Sequence, residues 1–250
     1  MISVAIIVKN GEQYLEQCLQ SLALFDEVLL LDTGSTDRTM EIASGFDNVR
    51  IEQREFAGFG PTKNLVASLA KHDWILSVDS DEVLTTELSE EIRALSLDET
   101  QVYRFSRHSY YRGRFIRGCG WYPDKILRLY NKQWTAFNDN QVHESVVVKA
   151  GMGVTDLQGA LKHYPYDSAG SLVDKLQFYS TLFAEQNQGK RASSPMKAVA
   201  HGMGAFMKGY VIRKGFLDGY AGFHIALCQG LAAYLKYLKL YEANRRTRLQ

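Results

Sequence analysis

The sequence predicts an α/β fold with a mostly parallel, doubly wound sheet flanked by helices, followed by a helical C-terminal region. Short apolar runs rich in β-branched residues alternate with helical patterns in the N-terminal third of the chain. That alternation is typical of βαβ units with parallel strands. Beyond about residue 168 the apolar residues recur at helical spacing, as in Leu172, Leu176, Tyr179 and Phe183. With 250 residues, the chain is long enough to bury a substantial core.

The individual elements follow from local patterns. Ile2–Val8 is a nearly continuous apolar run, as expected of a strand covered on both faces. Apolar side chains in residues 14–22 recur at helical spacing, and Glu27–Asp32 is a second apolar run that ends in an acid. Residues 35–37 supply capping groups for the next helix. The later elements are predicted as a strand at Val49–Glu52, a helix at Lys63–Lys71, and strands at Asp73–Val78 and Ile126–Tyr130.

An acidic cluster of Asp79, Asp81 and Glu82 follows the fourth strand. Like charges this close repel one another unless a cation lies between them. If the strand continues, Asp79 and Asp81 point to the same side, and their oxygens suit Mg²⁺ or Mn²⁺ with a phosphate completing the coordination. Ligands of parallel sheets bind beyond the carboxyl ends of the strands, so Asp32 is expected to face the same crevice. The alternative is a solvated acidic turn that caps the next helix.

Composition excludes several classes of protein. A net charge of +1 argues against a general nucleic-acid binder. The three cysteines are widely spaced and form no CxxC pair, which is typical of reduced thiols in a cytosolic protein rather than a disulfide framework or zinc site. The first apolar run is too short for a signal peptide and lacks its basic lead. Charge is uneven, because residues 205–250 carry eight Lys or Arg and two acids.

Five stretches, in this order, resemble glycosyltransferase family 2 on a GT-A fold: VKNGE at 8–12, CLQSL at 18–22, LDTGSTDRT at 31–39, KNL at 63–65 and VDSDE at 78–82. The resemblance covers about residues 1–165. Many members carry two adjacent acids before the Gly-Ser, and here the second is Thr33, a departure that bears on contacts to the base. The resemblance implies a catalytic domain at 1–167, with a nucleotide-sugar half at 1–82 and an acceptor half at 100–167. Residues 168–250 are then a helical, basic, membrane-apposed region.

The resemblance also implies roles on the donor side. Asp32 would accept hydrogen bonds from the base or ribose, and Lys63 would contact the nucleotide near its phosphates or base. Asp81 would hold Mg²⁺ or Mn²⁺, with His163 completing the ligands. Residues assigned to nucleotide-sugar binding are Val8, Asn10, Asp32, Lys63, Asp79 and Ser80. The bland alternatives are a turn-stabilising Asp32, a solvated Lys63 and a packed or solvated His163.

On the acceptor side, the glycine-rich and aromatic stretch 117–125 includes Trp121 and Tyr122, whose ring faces suit stacking on a pyranose. The alternative is a tight turn with buried aromatics. A carboxylate is the general base of this family, and its position falls on Glu144, with Asp124 as second choice. A carboxylate near an apolar wall has the raised pKa that a base needs. The alternative for Glu144 is an ion pair at a strand edge.

The C-terminal region carries 17 residues without formal charge between Asp218 and Lys236. That length is slightly short for a membrane span and contains polar residues, so we expect an interfacial or packed helix. The cations behind it favour an anionic surface such as inner-leaflet phospholipid: Lys236, Lys239, Arg245, Arg246 and Arg248. The alternative is a self-packing hairpin or a dimer contact with a solvated basic tail.

Within the family, the chain most resembles bacterial lipopolysaccharide inner-core glucosyltransferases, through GWYPD at 120–124, VHE at 142–144, HYPY at 163–166 and KGYVIRKGFLDG at 208–219. This implies inverting transfer of glucose from UDP-glucose to an inner-core heptose, by a peripheral protein on the cytoplasmic face of the inner membrane. Another membrane-borne acceptor (O-antigen, capsule or teichoic-type glycan) stays open. A nucleotidyltransferase or pyrophosphorylase is expected to show a glycine-and-basic loop after the first strand, where this chain has VKNGE. A scaffolding relative is expected to have lost the acids.

Overall fold

The computed structural model describes residues 1–140 and 144–249, with side chains described as far as Arg245. The predicted stretch at 141–143 and the side chains of Arg246 and Arg248 lie outside the described residues. The chain forms two compact units. The first comprises Met1–His108 and Asp124–Tyr164, and the second comprises Ser109–Pro123 and Pro165–Gln250. The domain boundary expected after residue 167 stays a prediction.

The first unit begins with the predicted βαβ pattern. The strands are β1 (Ile2–Val8), β2 (Glu27–Asp32), β3 (Val49–Gln53) and β4 (Trp74–Asp79), alternating with helices α1 (Leu15–Ser21), α2 (Thr39–Ala43) and α3 (Phe59–Leu69). These four strands lie in the order β3-β2-β1-β4 and pair in parallel. Each predicted strand of this half therefore exists, with ends displaced by at most one residue.

The rest of the sheet continues from β4 with antiparallel pairs. Its elements are β5 (Glu82–Leu84), α4 (Thr86–Ala94), β6 (Gln101–Tyr111), β7 (Arg114–Phe115), β8 (Lys125–Asn131) and β9 (Gly153–Tyr166). The order is β4-β8-β6-β9-β5, with β7 paired to β6. β8 runs antiparallel to both β4 and β6, and β5 runs antiparallel to β9. The fold is α/β as expected, and the first four strands form a parallel part of its sheet.

Both faces of β1, β2 and β4 are buried, which explains why their sequences are mostly apolar rather than alternating. The outer strand β3 is only partly buried. One face of β1 packs Val4, Ile6 and Val8 into a core that includes Leu15 and Leu19 of α1. The other face packs into a second core with Val66 and Ala67 of α3, among others. This sandwiched sheet fixes the strand ends where the acidic residues lie.

The second unit is helical apart from its short N-terminal segment. It contains α5 (Ala169–Asn187), α6 (Pro195–Met207) and α7 (Gly219–Leu249), with a π turn at Lys208–Ile212 and a 3-10 turn at Gly215–Asp218 between α6 and α7. Ser168 caps α5 and Ser194 caps α6, with a proline at the first helical position of α6. In the part of the chain that the structure describes, no helix is long and apolar enough to cross a membrane.

Two lysines of α7 differ from the expectation that they face an anionic surface. Lys239 Nζ donates to three side chains and one carbonyl of α5, including the Ser180 and Thr181 hydroxyls, both at 2.8 Å. Lys236 Nζ lies 5.6 Å from the centre of the Phe183 ring. Both cations therefore bind α7 to α5, as the alternative of a self-packing helical region expects.

Candidate active site

The carboxyl ends of β1, β2 and β4 meet at one edge of the sheet. Val8 pairs with Asp32, and Ile7 pairs with Asp79, so the two acids lie one strand apart on either side of β1. Both acids therefore end strands that flank β1. Strand β4 ends at Asp79, however, and Ser80 and Asp81 form a turn before β5. The condition for Asp79 and Asp81 to point the same way along a continuing strand is therefore not met.

Asp79 lies in a cluster of ion pairs instead. Its Oδ1 is 2.9 Å from Lys63 Nζ, and its Oδ2 is 2.7 Å from Arg128 Nη2. Lys63 Nζ is also 2.9 Å from Glu144 Oε1. The Lys63 side chain is only 3% exposed, so it is not a solvated surface lysine. It joins two of the acids that the sequence assigns to the site.

Local packing brings Lys63 to this position. Helix α3 begins at Phe59, and the Gly60 N–H donates to the Asn140 carbonyl at 3.0 Å. A Cβ at Gly60 would lie 2.0 Å from the Asn138 carbonyl oxygen, so only glycine allows this approach. Asn64, next to Lys63, exchanges hydrogen bonds with the backbone of Phe137 at 2.9 Å. The start of α3 is thereby fixed against the segment that precedes Glu144.

Further charges extend the cluster. Glu82, with a fully buried side chain, has its Oε1 3.4 Å from Arg128 Nη2 and 3.5 Å from Arg107 Nη1. Arg107 also pairs with Asp124 Oδ2 at 2.8 Å. The other Glu82 oxygen accepts a hydrogen bond from the Asp79 N–H at 2.8 Å. Three cations are thus paired with four carboxylates, and these ion pairs offset the repulsion among the acids.

The electrostatics differ between the two central acids. Burial acts to raise the pKa of Asp79, but the nearby Arg128 and Lys63 outweigh it and hold that pKa well below its usual range. Burial raises the pKa of Glu82, with a further contribution from Asp79, despite the opposing charge of Arg128. The surroundings therefore favour the ionised form of Asp79, and they shift the pKa of Glu82 in the opposite direction.

Asp81 has a different partner. Its Oδ2 lies 3.6 Å from His163 Nε2, and its carbonyl accepts a hydrogen bond from the Tyr164 N–H at 3.0 Å. The pairing of Glu82 with His163 across β5 and β9 sets this proximity. Within residues 1–140 and 144–249, no three His, Cys, Asp or Glu side chains form a metal-ligand group. One carboxylate and one imidazole fit a divalent ion that takes its other ligands from phosphate and water.

The loop after β2 is organised by Asp32. Its carboxylate accepts hydrogen bonds from the backbone N–H groups of Gly34 at 3.3 Å and Ser35 at 3.0 Å. Gly34 has a φ of 101°, a conformation that favours glycine. These contacts are those of the turn-stabilising alternative for Asp32. A contact with a nucleotide stays a prediction for this residue.

Asn10 and Val8 hold the same loop from β1. Asn10, with a φ of 54°, accepts a hydrogen bond from the Thr36 N–H at 2.8 Å through its side chain. The Val8 carbonyl accepts from both the N–H and the hydroxyl of Thr33, at 2.9 and 3.0 Å. Thr33, where many relatives carry a second acid, is thus part of the loop framework.

The two residues predicted to bind the acceptor, Trp121 and Tyr122, lie in the second unit. Trp121 stacks on Tyr166 with ring centres 5.7 Å apart, and is partly buried. Tyr122 meets Phe115 edge-on at 5.4 Å and is 40% exposed. For Trp121 the contacts match the alternative of a turn with packed aromatics, whereas Tyr122 presents an accessible ring.

The family model described as Glycosyl transferase family 2 matches residues 3–148, more than half of the chain. The chain belongs to glycosyltransferase family 2. An uncharacterized glycosyltransferase from Rickettsia typhi is 30% identical over 261 residues, covering 99% of this chain and 89% of that protein. The lipopolysaccharide core biosynthesis glycosyltransferase LpsC of Rhizobium meliloti is 28% identical over 258 residues, covering 97% and 93%.

A solved structure supports the fold. The mannosyltransferase PcManGT from Pyrobaculum calidifontis, in complex with GDP-Man and Mn²⁺, aligns with a TM-score of 0.54 at 13% identity. The alignment covers 96% of this chain and 86% of that one. The GT-A fold predicted from the sequence is confirmed for this family 2 glycosyltransferase.

Both candidate bases of this glycosyltransferase are ion-paired. Glu144 contacts Lys63, which is the alternative that the sequence left open, and Asp124 contacts Arg107. The role of Glu144 as base stays a prediction. The sequence analysis did not identify Arg107 or Arg128 as site residues. It also did not foresee that Glu82 is buried and contacts both arginines. A signal existed for Arg128, because it interrupts the otherwise apolar strand β8 and is only 7% exposed.

Proposed function

We propose that this family 2 glycosyltransferase moves glucose from UDP-glucose, with inversion, to a heptose of the lipopolysaccharide inner core. The similarity to LpsC along nearly the whole length of both proteins supports a core acceptor. The observation that carries the proposal is the bridge from Asp79 through Lys63 to Glu144, at the edge where β1, β2 and β4 end. Ligands bind at that edge of parallel sheets.

The reaction is a single in-line displacement. Glu144 takes the proton from the acceptor hydroxyl as that oxygen attacks the anomeric carbon and the bond to the diphosphate breaks. Glu144 Oε1 lies 2.9 Å from Lys63 Nζ, and this contact holds the carboxylate in place. Lys63 itself is fixed by Asp79, which Arg128 holds from the other side. Asp79 and Arg128 are therefore positioning residues in this account.

Asp81 and His163 are assigned to a divalent ion, Mg²⁺ or Mn²⁺. When bound, the ion supplies Lewis-acid stabilisation of the charge on the departing UDP. His163 suits Mn²⁺ better than Mg²⁺, because imidazole is a softer ligand than water or carboxylate. Asp79 is not assigned to the ion, since both of its oxygens pair with Lys63 and Arg128.

We place the enzyme on the cytoplasmic face of the inner membrane, where UDP-sugars and a lipid-linked acceptor meet. The C-terminal region is the proposed contact with anionic phospholipid. Charge supports this, because residues 205–250 carry eight Lys or Arg against two acids. If the acceptor is another membrane-borne glycan, the donor site is the same and only the residues that bind the acceptor differ in role.

The test is a calorimetric titration of the purified protein with UDP, UDP-glucose, UDP-galactose, UDP-N-acetylglucosamine and GDP-mannose, each with and without Mn²⁺. We expect Mn²⁺-dependent binding that is tightest for UDP-glucose. Asp156→Asn serves as a control, because Asp156 forms ion pairs with Arg104 and Lys125 and, among the described side chains, none with the cations that contact Asp79. Tight binding of another sugar nucleotide would discard the glucose assignment, and no metal-dependent binding would discard the donor site.

A further inference from the structure

Two neighbouring helices of the second unit expose apolar stripes of identical spacing. In α6 the stripe is Met196, Val199, Met203 and Met207, and in α7 it is Tyr220, Phe223, Leu227 and Leu231. All eight side chains are between 41% and 77% exposed. Each stripe occupies positions 0, 3, 7 and 11, which is one face of an α-helix. These eight residues are called the apolar face.

The buried side of each helix is distinct from its stripe. Ala198 and Gly202 of α6 are buried, as are Ala221, Ile225, Ala226 and Cys228 of α7. The unit therefore already has a core, centred on residues such as Ile225 and Cys228. The apolar face is a second apolar surface on the same two helices. Monomeric proteins rarely expose contiguous apolar surface on this scale without a partner.

The two stripes lie on the same side of the helix pair. A Cβ at Gly202 would lie 3.2 Å from the Gly230 carbonyl oxygen, and Phe206 meets Phe223 at 6.0 Å, so α6 and α7 are antiparallel neighbours. Successive residues rotate by about 100° around a helix. The side of each helix that contacts the other helix is the reference for this rotation. Around each helix axis, in the sense of increasing residue number, the centre of the stripe lies roughly 60–90° past that side. Equal rotation on antiparallel helices places both stripes on one side.

The turn that joins the helices continues the same character. Residues 208–218, called the hairpin tip, expose four large apolar side chains: Val211, Ile212, Phe216 and Leu217. Between them lie three exposed cations, Lys208, Arg213 and Lys214. In the part of the chain with described side chains, none of these three makes an ion pair. Arg213, Lys214 and Arg117 also line a groove of about 410 Å³ beside Tyr122.

Charge decides which partner fits. Residues 186–241 contain eight Lys or Arg and a single acid, Asp218. That acid is 4% exposed and accepts a hydrogen bond from the Gly118 N–H at 2.6 Å, so it is not available at the surface. A second copy of this chain would bring the same cations against one another with no exposed carboxylate between residues 186 and 241 to meet them. An anionic bilayer fits both features, because its acyl chains take up apolar side chains and its phosphates attract cations.

We propose that the apolar face and the hairpin tip form a docking surface for an anionic phospholipid bilayer. The eight apolar side chains enter the boundary between headgroups and acyl chains, and Lys208, Arg213 and Lys214 contact lipid phosphates. This proposal rests on the membrane contact of the proposed function and names the residues that make it, but it does not depend on the identity of the donor or the acceptor. It also moves the contact from the C-terminal end of α7, where Lys236 and Lys239 bind α5, to the opposite end of the hairpin.

The test is flotation of the full-length protein with phosphatidylcholine vesicles that contain 30% phosphatidylglycerol, and with vesicles of phosphatidylcholine alone. We expect the wild type to bind the anionic vesicles and to lose binding in high salt. Met203→Gln and Ile212→Gln should each reduce the partition coefficient about tenfold, because a buried apolar side chain is replaced by a polar one of similar size. Leu24→Gln, at a 52% exposed position of the first unit, should leave it unchanged.

The cations are tested separately with neutral replacements. Lys208→Gln and Arg213→Gln should each reduce binding to anionic vesicles about fivefold. Arg245→Gln, which removes the same charge from the C-terminal end of α7, should change it far less. The proposal is overturned if the wild type does not float, if Leu24→Gln and Met203→Gln behave alike, or if Arg245→Gln is as harmful as Arg213→Gln. A dimer that Met203→Gln dissociates, without vesicle binding, would also overturn it. Binding of UDP-glucose, measured by calorimetry, does not depend on vesicle binding. Failure of this proposal can therefore be distinguished from failure of the proposed function.

Discussion

The two units of this glycosyltransferase depart from the usual distribution of side chains in opposite directions. The first unit buries charge, with Lys63, Glu82 and Arg128 each at most 7% exposed in their side chains. The second unit exposes apolar surface, with eight large side chains on one side of α6 and α7. Buried charge and exposed apolar patches are the two departures that carry most information about function. Here each indicates a ligand of different chemistry.

The comparison also predicts opposite responses to substitution. Removing one member of a buried ion pair strongly destabilises the folded protein, because the remaining buried charge has no partner. An exposed apolar residue contributes little to folding, so its replacement changes stability little. Stability measurements therefore distinguish the two units without any ligand present.

The largest effect is expected at Lys63. Lys63→Met leaves Asp79 and Glu144 without their shared cation and should lower the free energy of unfolding by about 3–5 kcal/mol. Urea denaturation at neutral pH measures the change. The double variant with Asp79→Asn should recover part of the loss, because it removes one of the two acids that lose their contact with Lys63. A single variant as stable as the wild type would mean that the ion pairs do not form.

In the second unit, a substitution should lower stability strongly only at a position that is tightly packed. A Cβ at Gly222 would lie 1.9 Å from the Gly215 carbonyl oxygen, so Gly222→Ala should destabilise by about 1–3 kcal/mol. Gly204→Ala in α6 is the matched control. Nothing lies within 4 Å of its added methyl group, and the higher helix propensity of alanine should stabilise slightly. Thermal denaturation compares the two, and equal effects would contradict the packing between the turn and α7.

A pH titration separates Asp79 from Glu82. The pKa of Asp79 is lowered in the folded protein, so its contribution to stability is present above its unfolded pKa of about 3.9 and is lost as pH falls through the folded value. The wild type should therefore lose more stability than Asp79→Asn on acidification below about pH 4. The contribution of Glu82 depends on pH in the opposite sense, because a carboxyl group with a raised pKa in the folded protein lowers stability as pH rises. Glu82→Gln should flatten that part of the profile.

The smallest effect is expected on the apolar face and the hairpin tip. Met203→Gln and Ile212→Gln should each change the free energy of unfolding by less than about 0.5 kcal/mol, because these side chains are 67% and 74% exposed. Chemical denaturation checks this directly. A loss of several kcal/mol would show that the face is part of the folded core, and would remove the reason to assign it to a bilayer.

Much of the first unit was predictable, because its signals are local. Ile2–Val8 and Glu27–Asp32 are apolar throughout and bounded by turn residues, and the structure reproduces both ranges. The expectation that Asp79 and Asp81 point to the same side depended on β4 continuing past Asp79, and that condition is not met. The turn at Ser80 was among the alternatives that the sequence left open, whereas the pairing of β5 with β9 that fixes Asp81 beside His163 is a long-range contact.

The charged partners were less predictable. Arg107 and Arg128 reach Glu82 and Asp79 from β6 and β8, and sequence spacing does not give the order of antiparallel strands. In the second unit, the basic composition of α7 suggested a surface role for Lys239, but a cation binds whichever oxygens its helix packing brings near. Here those oxygens belong to Gln177, Ser180 and Thr181 of α5.

The central claim is that Asp81 serves the donor and Glu144 serves the acceptor. Its most direct test is UDP binding in Mn²⁺ by Asp81→Ala and Glu144→Gln, measured by calorimetry beside transfer to a heptose-containing core acceptor. Both variants should lose transfer. We predict that Asp81→Ala weakens UDP binding at least about tenfold, as expected for loss of a metal ligand, and that Glu144→Gln leaves it nearly unchanged. Strong loss of UDP binding in Glu144→Gln with normal binding in Asp81→Ala would contradict the assignment.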